Sequence, residues 1–395
     1  MIGEKTKVFR GDLYSDPDDR SPSVKILHVF GRMNRGGAEM RTLELMKMVQ
    51  PLGLQFHFYV LSGQQGELDD RIYQLGGLVH YQRLNIMFPV RFKRILSRHK
   101  FDVVHSHVYY FSGYVSKLAA EAKIPVRIAH FRSVRDYHGE RLHRKLYRRL
   151  MKHWIDRYAT HILAVSKSAM DASWGEDWRS DRRCRVIYNG LDTASFTGSR
   201  NKSGVLSELA LPLDCHLIAH VGRMSRPKNH ERVISIFSKI HSLEPKSRLL
   251  LIGRSDNDIE VRLRKRVNQL GLASRVVFLG ERMDVPRLLK AADLMILPSL
   301  WEGLPGVCLE ACAAGTPVLA SDLPGVREIA DHLQDIHYLG LEEDDSVWAS
   351  LAKRLLGEHQ VRRSTDAAVR EFSKSVFSLE NCMRAHLEVW KANSK

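Results

Sequence analysis

Short apolar runs alternate with longer amphipathic stretches along most of the chain. In the first half, strands are predicted at 25–30, 56–61, 101–107, 124–130 and 161–165. Amphipathic helices are predicted between several of these strands, ending near 49 and spanning about 111–122 and 140–158. Strands that are apolar throughout and alternate with helices are typical of a parallel sheet covered on both faces. The first half is therefore predicted to be an α/β domain.

The same pattern starts again after the Asn-Gly turn at 189–192. In the second half, strands are predicted at 216–222, 248–253, 275–280 and 291–298, with helices between them. Two halves of similar size predict two Rossmann-like domains, each a doubly wound parallel sheet, that face a central cleft.

The predicted domain limits follow from changes in composition along the chain. Residues 1–23 mix both charges and lack an apolar segment, which predicts a flexible tail and no signal peptide. The first domain is placed at 24–196 and the second at 208–375. Between them, the range 197–207 is rich in Ser, Gly, Asn and Lys, and we interpret it as a hinge.

The net charge of the chain indicates which classes of binding partner are expected. The 395 residues carry a formal net charge of +16, which favours a partner with negative charge: nucleic acid, anionic lipid or a nucleoside diphosphate. No nucleic-acid-binding module is recognisable, so nucleic acid is not expected. The five cysteines have no metal-site spacing and predict no disulfide framework, as in a reducing cytoplasm. No apolar run is long enough for a membrane span, so a cytoplasmic protein is expected.

The segment 299–318 carries the clearest chemical pattern. Glu302 and Gly303 lie in a loop after a buried strand, and Pro305 suits the first position of the helix that follows. The start of that helix can hold a phosphate, and Gly303 and Leu304 allow its close approach. Glu302 can accept hydrogen bonds from sugar hydroxyls, and Glu310 from a ribose. A nucleotide sugar would satisfy all three features.

A basic loop opens the second domain directly after its first strand. Gly222 and Arg223 begin this loop and Lys228 ends it, so two cations are available for a diphosphate. Arg254 and Arg282 follow the next two strands, and we expect the nucleobase near them. In the first domain, Gly36 and Gly37 precede a helix whose start can hold a phosphate or an acceptor oxygen.

These motifs together resemble the family 4 retaining glycosyltransferases of the GT-B fold. The resemblance rests on Glu302-x7-Glu310, Gly222-Arg223-x4-Lys228 and the loop from Gly36 and Gly37 to Glu39, and it extends from about 24 to 333. The capsule and exopolysaccharide branch is the most similar one. The resemblance implies that the last segment, 376–395, crosses back as a helix onto the first domain.

The resemblance also implies a function. It predicts transfer of a sugar, most often from a uridine diphosphate donor, to a glycan or lipid-linked acceptor with retention of the anomeric configuration. Arg223, Lys228 and the Gly303-Leu304 turn would hold the diphosphate, Glu302 would orient the sugar, and no metal or other cofactor is expected. Two alternatives stay open at this point, a nucleotide-sugar 2-epimerase and a non-catalytic subunit that binds nucleotide sugars.

One further catalytic residue is implied by the resemblance alone. In the family, a histidine near the end of the strand at 124–130 contacts the donor sugar and phosphate, which makes His130 the candidate. The spacing in this chain differs from the common one, and Phe131 or Arg132 are alternatives for the equivalent place.

The predicted helix at 140–158 allows two interpretations. Its apolar residues recur at every fourth position, at Leu142, Leu146, Leu150, Trp154 and Tyr158, with Lys and Arg between them. An ordinary helix would bury this stripe in the core and expose a basic face. Alternatively, the helix binds anionic lipid headgroups, which would place the protein on the inner face of the cytoplasmic membrane.

Overall fold

The computed structural model describes residues 24–134, 142–255, 257–358 and 364–392. The predicted tail at 1–23 and the first residues of the predicted helix at 140–158 lie outside this range. The first sheet contains β1 (Lys25–Phe30), β2 (Gln55–Val60), β3 (Leu78–Tyr81), β4 (Val103–Ser106), β5 (Val126–Phe131), β6 (His161–Ala164) and β7 (Cys184–Val186). Its helices are α1 (Gly37–Val49), α2 (Asp69–Gln74), α3 (Phe88–His99), α4 (Ser112–Glu121), α5 (Leu142–Tyr158) and α6 (Lys167–Ser173).

The second half builds a separate sheet. Its strands are β8 (His216–Val221), β9 (Ser247–Ile252), β10 (Val276–Gly280), β11 (Leu294–Leu297), β12 (Val318–Ser321) and β13 (Ile336–Leu339). Its helices are α7 (Lys202–Glu208), α8 (His230–Leu243), α9 (Asn257–Gln269), α10 (Val285–Ala291), α11 (Gly306–Ala314), α12 (Pro324–Ala330), α13 (Asp345–Glu358) and α14 (Thr365–Lys374). The range predicted as the hinge includes the start of α7, where Val205 and Leu206 are buried.

The neighbouring strands of both sheets are paired in parallel throughout, as the apolar runs predicted. The strand orders are β3-β2-β1-β4-β5-β6-β7 and β10-β9-β8-β11-β12-β13. β9 is buried along its whole length because helices cover both faces of its sheet. In an open sheet of this kind, ligands bind where the strand order reverses, at the carboxyl ends of the strands. These points lie between β1 and β4 in the first sheet and between β8 and β11 in the second.

The last helix, α15 (Leu379–Trp390), packs on the first domain. The ring of Trp390 is 1% exposed and meets the ring of Phe56 edge-on at 5.5 Å. Its Nε1 donates a hydrogen bond of 3.3 Å to Nδ1 of His105. The chain thus enters the second domain and returns to complete the core of the first.

A second connection between the domains is made by Glu328 on α12, which is 5% exposed. Its carboxylate accepts hydrogen bonds from the backbone N–H of Lys167 at 2.7 and 3.0 Å and from the Tyr188 hydroxyl at 2.7 Å. Lys167 begins α6, where free N–H groups and the helix dipole favour a negative charge. Glu328 therefore caps a helix of the opposite domain.

Helix α5 does not bury its leucine stripe, so the interpretation as an ordinary core stripe was wrong for three of its five members. Leu142, Leu146 and Leu150 are 75%, 56% and 46% exposed, whereas Met151 and Ile155 face the core. The aromatic end of the stripe is partly buried, because Trp154 packs against helix α4. None of the helices in the described part of the chain combines the length and the apolar character that a membrane crossing requires.

Candidate nucleotide-sugar site

The two loops at the switch point of the second sheet lie against each other. One follows β8 and carries Arg223 and Lys228, and the other follows β11 and carries Glu302 and Gly303. The backbone N–H of Leu300 donates to the carbonyl of Pro227 at 2.8 Å, and Nδ2 of Asn229 donates to the carbonyl of Pro298 at 3.1 Å. These hydrogen bonds fix one loop relative to the other, so the predicted diphosphate and sugar contacts share one site.

Lys228 and Glu302 form the centre of this site. Nζ of Lys228 lies 2.6 Å from Oε1 of Glu302, and the hydroxyl of Ser299 donates to the same oxygen at 2.8 Å. The two charged side chains are 20% and 14% exposed. A lysine held in this way can turn from the carboxylate to a phosphate that enters the site, since both are anionic oxygens.

Glycines bring the backbones around these loops unusually close. Gly253, after β9, has a φ of +147°, and a Cβ there would lie 2.1 Å from the carbonyl oxygen of Gly222. A Cβ on Gly325, at the start of α12, would lie 1.9 Å from the carbonyl oxygen of Gly303. Any side chain at either position would displace a loop of the candidate site.

Helix α11 begins at Gly306, one residue later than predicted, with Pro305 in the N-cap position. Leu304 is 8% exposed and belongs to the core below the turn. Glu310 lies in the second turn of the helix, and burial raises the pKa of its carboxyl, with Arg41 opposing this shift. The free N–H groups at the helix start and the carboxylate of Glu310 are thus carried by one rigid element.

Arg41 on α1 connects Glu310 to the first domain. Its guanidinium donates to Oε1 of Glu310 at 2.6 Å and to Oε2 of Glu44 at 2.6 Å. This arginine was not predicted from the sequence, because nothing in the motif around Gly36 indicates which side chain of the following helix crosses the cleft. The contact shows that the carboxylate predicted to bind a ribose already has a cationic partner.

The glycine loop of the first domain lies on the opposite side of the cleft. Gly36 is the N-cap of α1 and Gly37 its first residue. Burial raises the pKa of Glu39 in the first turn, whereas Arg132 and Arg223 act in the opposite direction. Arg223 is exposed and belongs to the second domain, so its electrostatic effect on Glu39 places both groups at the cleft.

His130 does not reach the cleft surface. Its side chain is 1% exposed, and its Nδ1 lies 3.0 Å from Nε2 of His105 in the interior of the first domain. Arg132 lies closer to the cleft, because a Cβ on Gly303 would lie 3.4 Å from its carbonyl oxygen. Its guanidinium donates to Oδ1 of Asn189 at 2.7 Å, and burial lowers its pKa to about 10. The backbone of Arg132, and not the imidazole of His130, therefore lies beside the Gly303 turn.

Arg254 and Arg282 have carboxylate partners away from the central pair. Arg254 donates to Oε1 of Glu67 in the first domain at 2.9 Å. Arg282 forms ion pairs with Asp284 and with Glu208 on α7, at 2.8 and 3.0 Å. The structure does not bring Arg282 into contact with the residues at Glu302, and its expected position near a nucleobase stays a prediction.

A cluster of five histidines, four of them buried and His107 half-buried, lies behind the cleft. Burial lowers the pKa of every member, so all five are neutral at pH 7; the members are His28, His105, His107, His130 and His386. Nitrogens of two triplets lie within 4.8 Å of one another and could hold a metal ion; the triplets are His28, His105, His107 and His105, His130, His386.

His105 belongs to both triplets, and both of its ring nitrogens already form hydrogen bonds. Because the indole Nε1 of Trp390 can only donate, Nδ1 of His105 accepts and its Nε2–H donates to His130. A metal bound to His105 would have to displace one of these hydrogen bonds, since a ligand nitrogen needs its lone pair. The arrangement fits a network of neutral imidazoles better than a metal centre.

Comparisons with known proteins cover both domains. Residues 35–195 match the family described as Glycosyltransferase Family 4, and residues 207–371 match Glycosyl transferases group 1. The capsular polysaccharide biosynthesis glycosyltransferase CapH of Staphylococcus aureus is 28% identical over 360 residues, covering 90% of this chain and 98% of the relative. The putative glycosyltransferase EpsF of Bacillus subtilis is 29% identical over 357 residues, covering 87% and 90%.

A solved structure supports the same fold. Anabaena Alr3699/HepE in complex with UDP superposes with a TM-score of 0.78 at 19% identity, covering 94% of this chain and all of the other. The predicted GT-B architecture of two facing parallel-sheet domains is thereby confirmed. With its two halves matching the two domains in order, the chain belongs to the group 1 glycosyltransferases of family 4.

Proposed function

We propose that this protein is a retaining hexosyltransferase that transfers a sugar from a uridine diphosphate donor to a glycan or lipid-linked acceptor in polysaccharide biosynthesis. The structures of the similar Anabaena protein are described as complexes with UDP and with UDP-glucose. A relative from Escherichia coli, 28% identical over 270 residues, is named as a galactosyltransferase that uses UDP-Gal and a diphosphoundecaprenol-linked acceptor. A uridine diphosphate sugar would fit a donor site that offers cations to the diphosphate and carboxylates to the sugar.

The observation that carries the proposal is the contact of 2.6 Å between Lys228 and Glu302 at the switch point of the second sheet. Lys228 and Arg223 would neutralise the diphosphate as charge grows on the leaving group, together with the N–H groups at the start of α11. Glu302 would accept hydrogen bonds from the sugar, and Glu310 from the ribose. In this arrangement the phosphate is bound by protein cations, and we propose that no metal is required.

For the chemical step we propose a front-face substitution. The bond from the anomeric carbon to the departing phosphate oxygen breaks as the acceptor oxygen forms its bond on the same face. Bond formation on the face from which the phosphate departs retains the anomeric configuration without a protein nucleophile. The departing phosphate takes the proton of the acceptor hydroxyl. The backbone of Arg132 lies beside the Gly303 turn, and we propose that its guanidinium, which is bound to Asn189, adds a third positive charge to the site.

A ligand-induced thermal shift tests the donor site directly. UDP, GDP, ADP and dTDP are added to the wild type and to Glu310→Gln, each with and without EDTA. A nucleotide present at 100 times its dissociation constant should stabilise the wild type by about 2.7 kcal/mol. We expect this shift with UDP alone, unchanged by EDTA and lost in Glu310→Gln. The exposed residue Glu231 on α8 offers a matched control, Glu231→Gln, which should keep the shift.

Product analysis then decides between the transferase and the alternatives. A transferase releases UDP in step with glycosylation of an acceptor, whereas a 2-epimerase converts the donor when no acceptor is present. Nucleotide binding without turnover towards any acceptor would indicate a binding subunit. Loss of activity with EDTA that Mn²⁺ restores would contradict the metal-independent mechanism.

We also propose that the protein binds peripherally to the inner face of the cytoplasmic membrane through α5. Three leucines of this helix are exposed, and Lys and Arg side chains flank them. An apolar stripe beside a basic face is typical of helices that lie in an anionic lipid surface. Co-sedimentation with anionic but not neutral vesicles at low salt would support this placement.

A further inference from the structure

A basic pocket lies between α5 and the loop after β4. It has a volume of about 250 Å³ and is lined by Tyr110 and four cations, Lys145, Arg148, Arg149 and Lys152. Four positive charges around one small cavity repel one another, so the arrangement favours a bound anion with more than one negative charge.

The cations are available for a ligand. Lys145, Arg148 and Arg149 have no carboxylate partner among the residues that the structure describes. Lys152 donates one hydrogen bond to the carbonyl of Trp174 and has two further N–H groups. By contrast, Arg183 on a nearby surface has two carboxylate partners. Three of the four cations of the pocket therefore form no ion pair within the described part of the protein.

The pocket continues directly into an exposed apolar surface. At about 100° per residue, the four cations of α5 cover an arc of about 100°, and the exposed leucines cover the next arc of about 80°. The buried side of the helix, with Met151 and Ile155, lies beyond the cations on the other side. A single ligand can therefore place an anionic group in the pocket and a hydrocarbon chain along Leu142, Leu146 and Leu150.

The pocket lies at the edge of the first sheet that faces the cleft. Tyr110 belongs to the short turn Tyr109–Phe111, which follows the carboxyl end of β4 at the switch point. The cations occupy the first two thirds of α5, which follows the carboxyl end of β5 in the chain. The first domain is the expected acceptor side of the enzyme, so the position fits an acceptor and not the donor.

We propose that this pocket binds the phosphate or diphosphate of a lipid-linked acceptor, with the lipid chain on the three exposed leucines. The proposal rests on the transferase function proposed above and names the acceptor class for it. It differs from general attraction to an anionic membrane, because the pocket would prefer a clustered diphosphate to the same charge spread over many headgroups.

Vesicle binding tests the preference. Three compositions are compared: neutral phosphatidylcholine alone, phosphatidylcholine with phosphatidylglycerol, and phosphatidylcholine with a polyprenyl diphosphate at the same total charge. We expect the tightest binding to the polyprenyl diphosphate vesicles. Removing two cations in Arg148→Gln/Arg149→Gln should weaken this binding about 30-fold, as each cation contributes about fivefold. Equal binding to both anionic compositions would overturn the proposal in favour of a non-specific membrane surface.

Matched variants separate the pocket from its surroundings. Arg262→Gln/Lys265→Gln removes the same charge from the exposed face of α9 and should leave vesicle binding within about twofold. Leu146→Ser/Leu150→Ser should weaken binding to vesicles but not to soluble inorganic pyrophosphate, whereas the arginine variant should weaken both. An equal loss in the α9 variant would refute a specific pocket.

The UDP thermal shift, measured on the same proteins, distinguishes the two proposals. If wild type and pocket variants all retain the shift but polyprenyl diphosphate is not preferred, the pocket proposal fails and the donor site stands. If the wild type shows no UDP thermal shift, the proposed transferase function is refuted, whatever the result of the vesicle experiment. An unchanged UDP thermal shift in Arg148→Gln/Arg149→Gln would show that this variant is folded.

Discussion

Mild acid should destabilise this protein, and His386 on α15 provides a way to measure by how much. This residue is 2% exposed, and burial, with a smaller contribution from Arg132, lowers its pKa to about 4. In the unfolded chain a histidine has a pKa of about 6.5. Between these two values the unfolded state binds more protons than the folded state, so the free energy of unfolding falls as the pH falls.

The size of the effect follows from the two pKa values. Above pH 6.5 both states are neutral at this position, and the stability contributed by the neutral imidazole is fully present. From pH 7.5 to pH 5.0 a single histidine with these values lowers the free energy of unfolding by about 2 kcal/mol. The pKa values of the four other histidines of the cluster are lowered as well, so the wild type should lose more stability than this.

Urea unfolding at pH 7.5 and pH 5.0 measures the loss, followed by tryptophan fluorescence because Trp390 lies in the same core. In His386→Leu the loss should be smaller than in the wild type by about 2 kcal/mol. The control His143→Leu removes an exposed histidine and should change the loss by less than about 0.5 kcal/mol. If His386→Leu and the wild type lose the same stability, His386 is not held neutral by burial and the reasoning is wrong.

Three further variants address the cleft. Lys228→Ala should lower kcat at least about 100-fold, because a charge that stabilises the leaving group is lost. The control Lys239→Ala, on the exposed face of α8, should leave kcat unchanged. Steady-state kinetics of UDP release measures both. Gly253→Ala should abolish the UDP thermal shift, since its Cβ would meet backbone at 2.1 Å, while Gly357→Ala, which has open space around it and an ordinary φ, should keep the shift. Glu328→Gln should lower the free energy of unfolding by about 1–3 kcal/mol in urea titrations, because a charged acceptor of three hydrogen bonds becomes neutral, and an unchanged midpoint would contradict its role between the domains.

Predictions from the sequence succeeded where a local pattern determines the outcome. Apolar runs predicted parallel strands buried on both faces, and the resemblance to family 4 enzymes predicted one site for Lys228 and Glu302, which the structure brings into contact. Edge strands such as β3 were not predicted, since their exposure weakens the apolar pattern. The contact of Arg41 with Glu310 depends on how the two domains face each other, which no local pattern encodes.

The directions of the His130 side chain and of the leucines on α5 were also not determined by any local pattern. A histidine at the end of a strand can point to the cleft or into the core, and His130 points into the core, where α15 packs His386 against it. The spacing of Leu142, Leu146 and Leu150 gives one side of a helix, but it does not tell whether protein covers that side. Only the tertiary arrangement of α4 and α5 decides which arc of the helix is buried.

The return of α15 to the first domain has a consequence for the order of folding. A polypeptide is synthesised from its amino end, so the seven strands of the first sheet emerge before any part of the second. Their core nevertheless lacks the ring of Trp390 until synthesis has passed that residue. The domain that is synthesised first is therefore the one completed last. A stop codon shortly before Trp390 would destabilise the first domain more than the second.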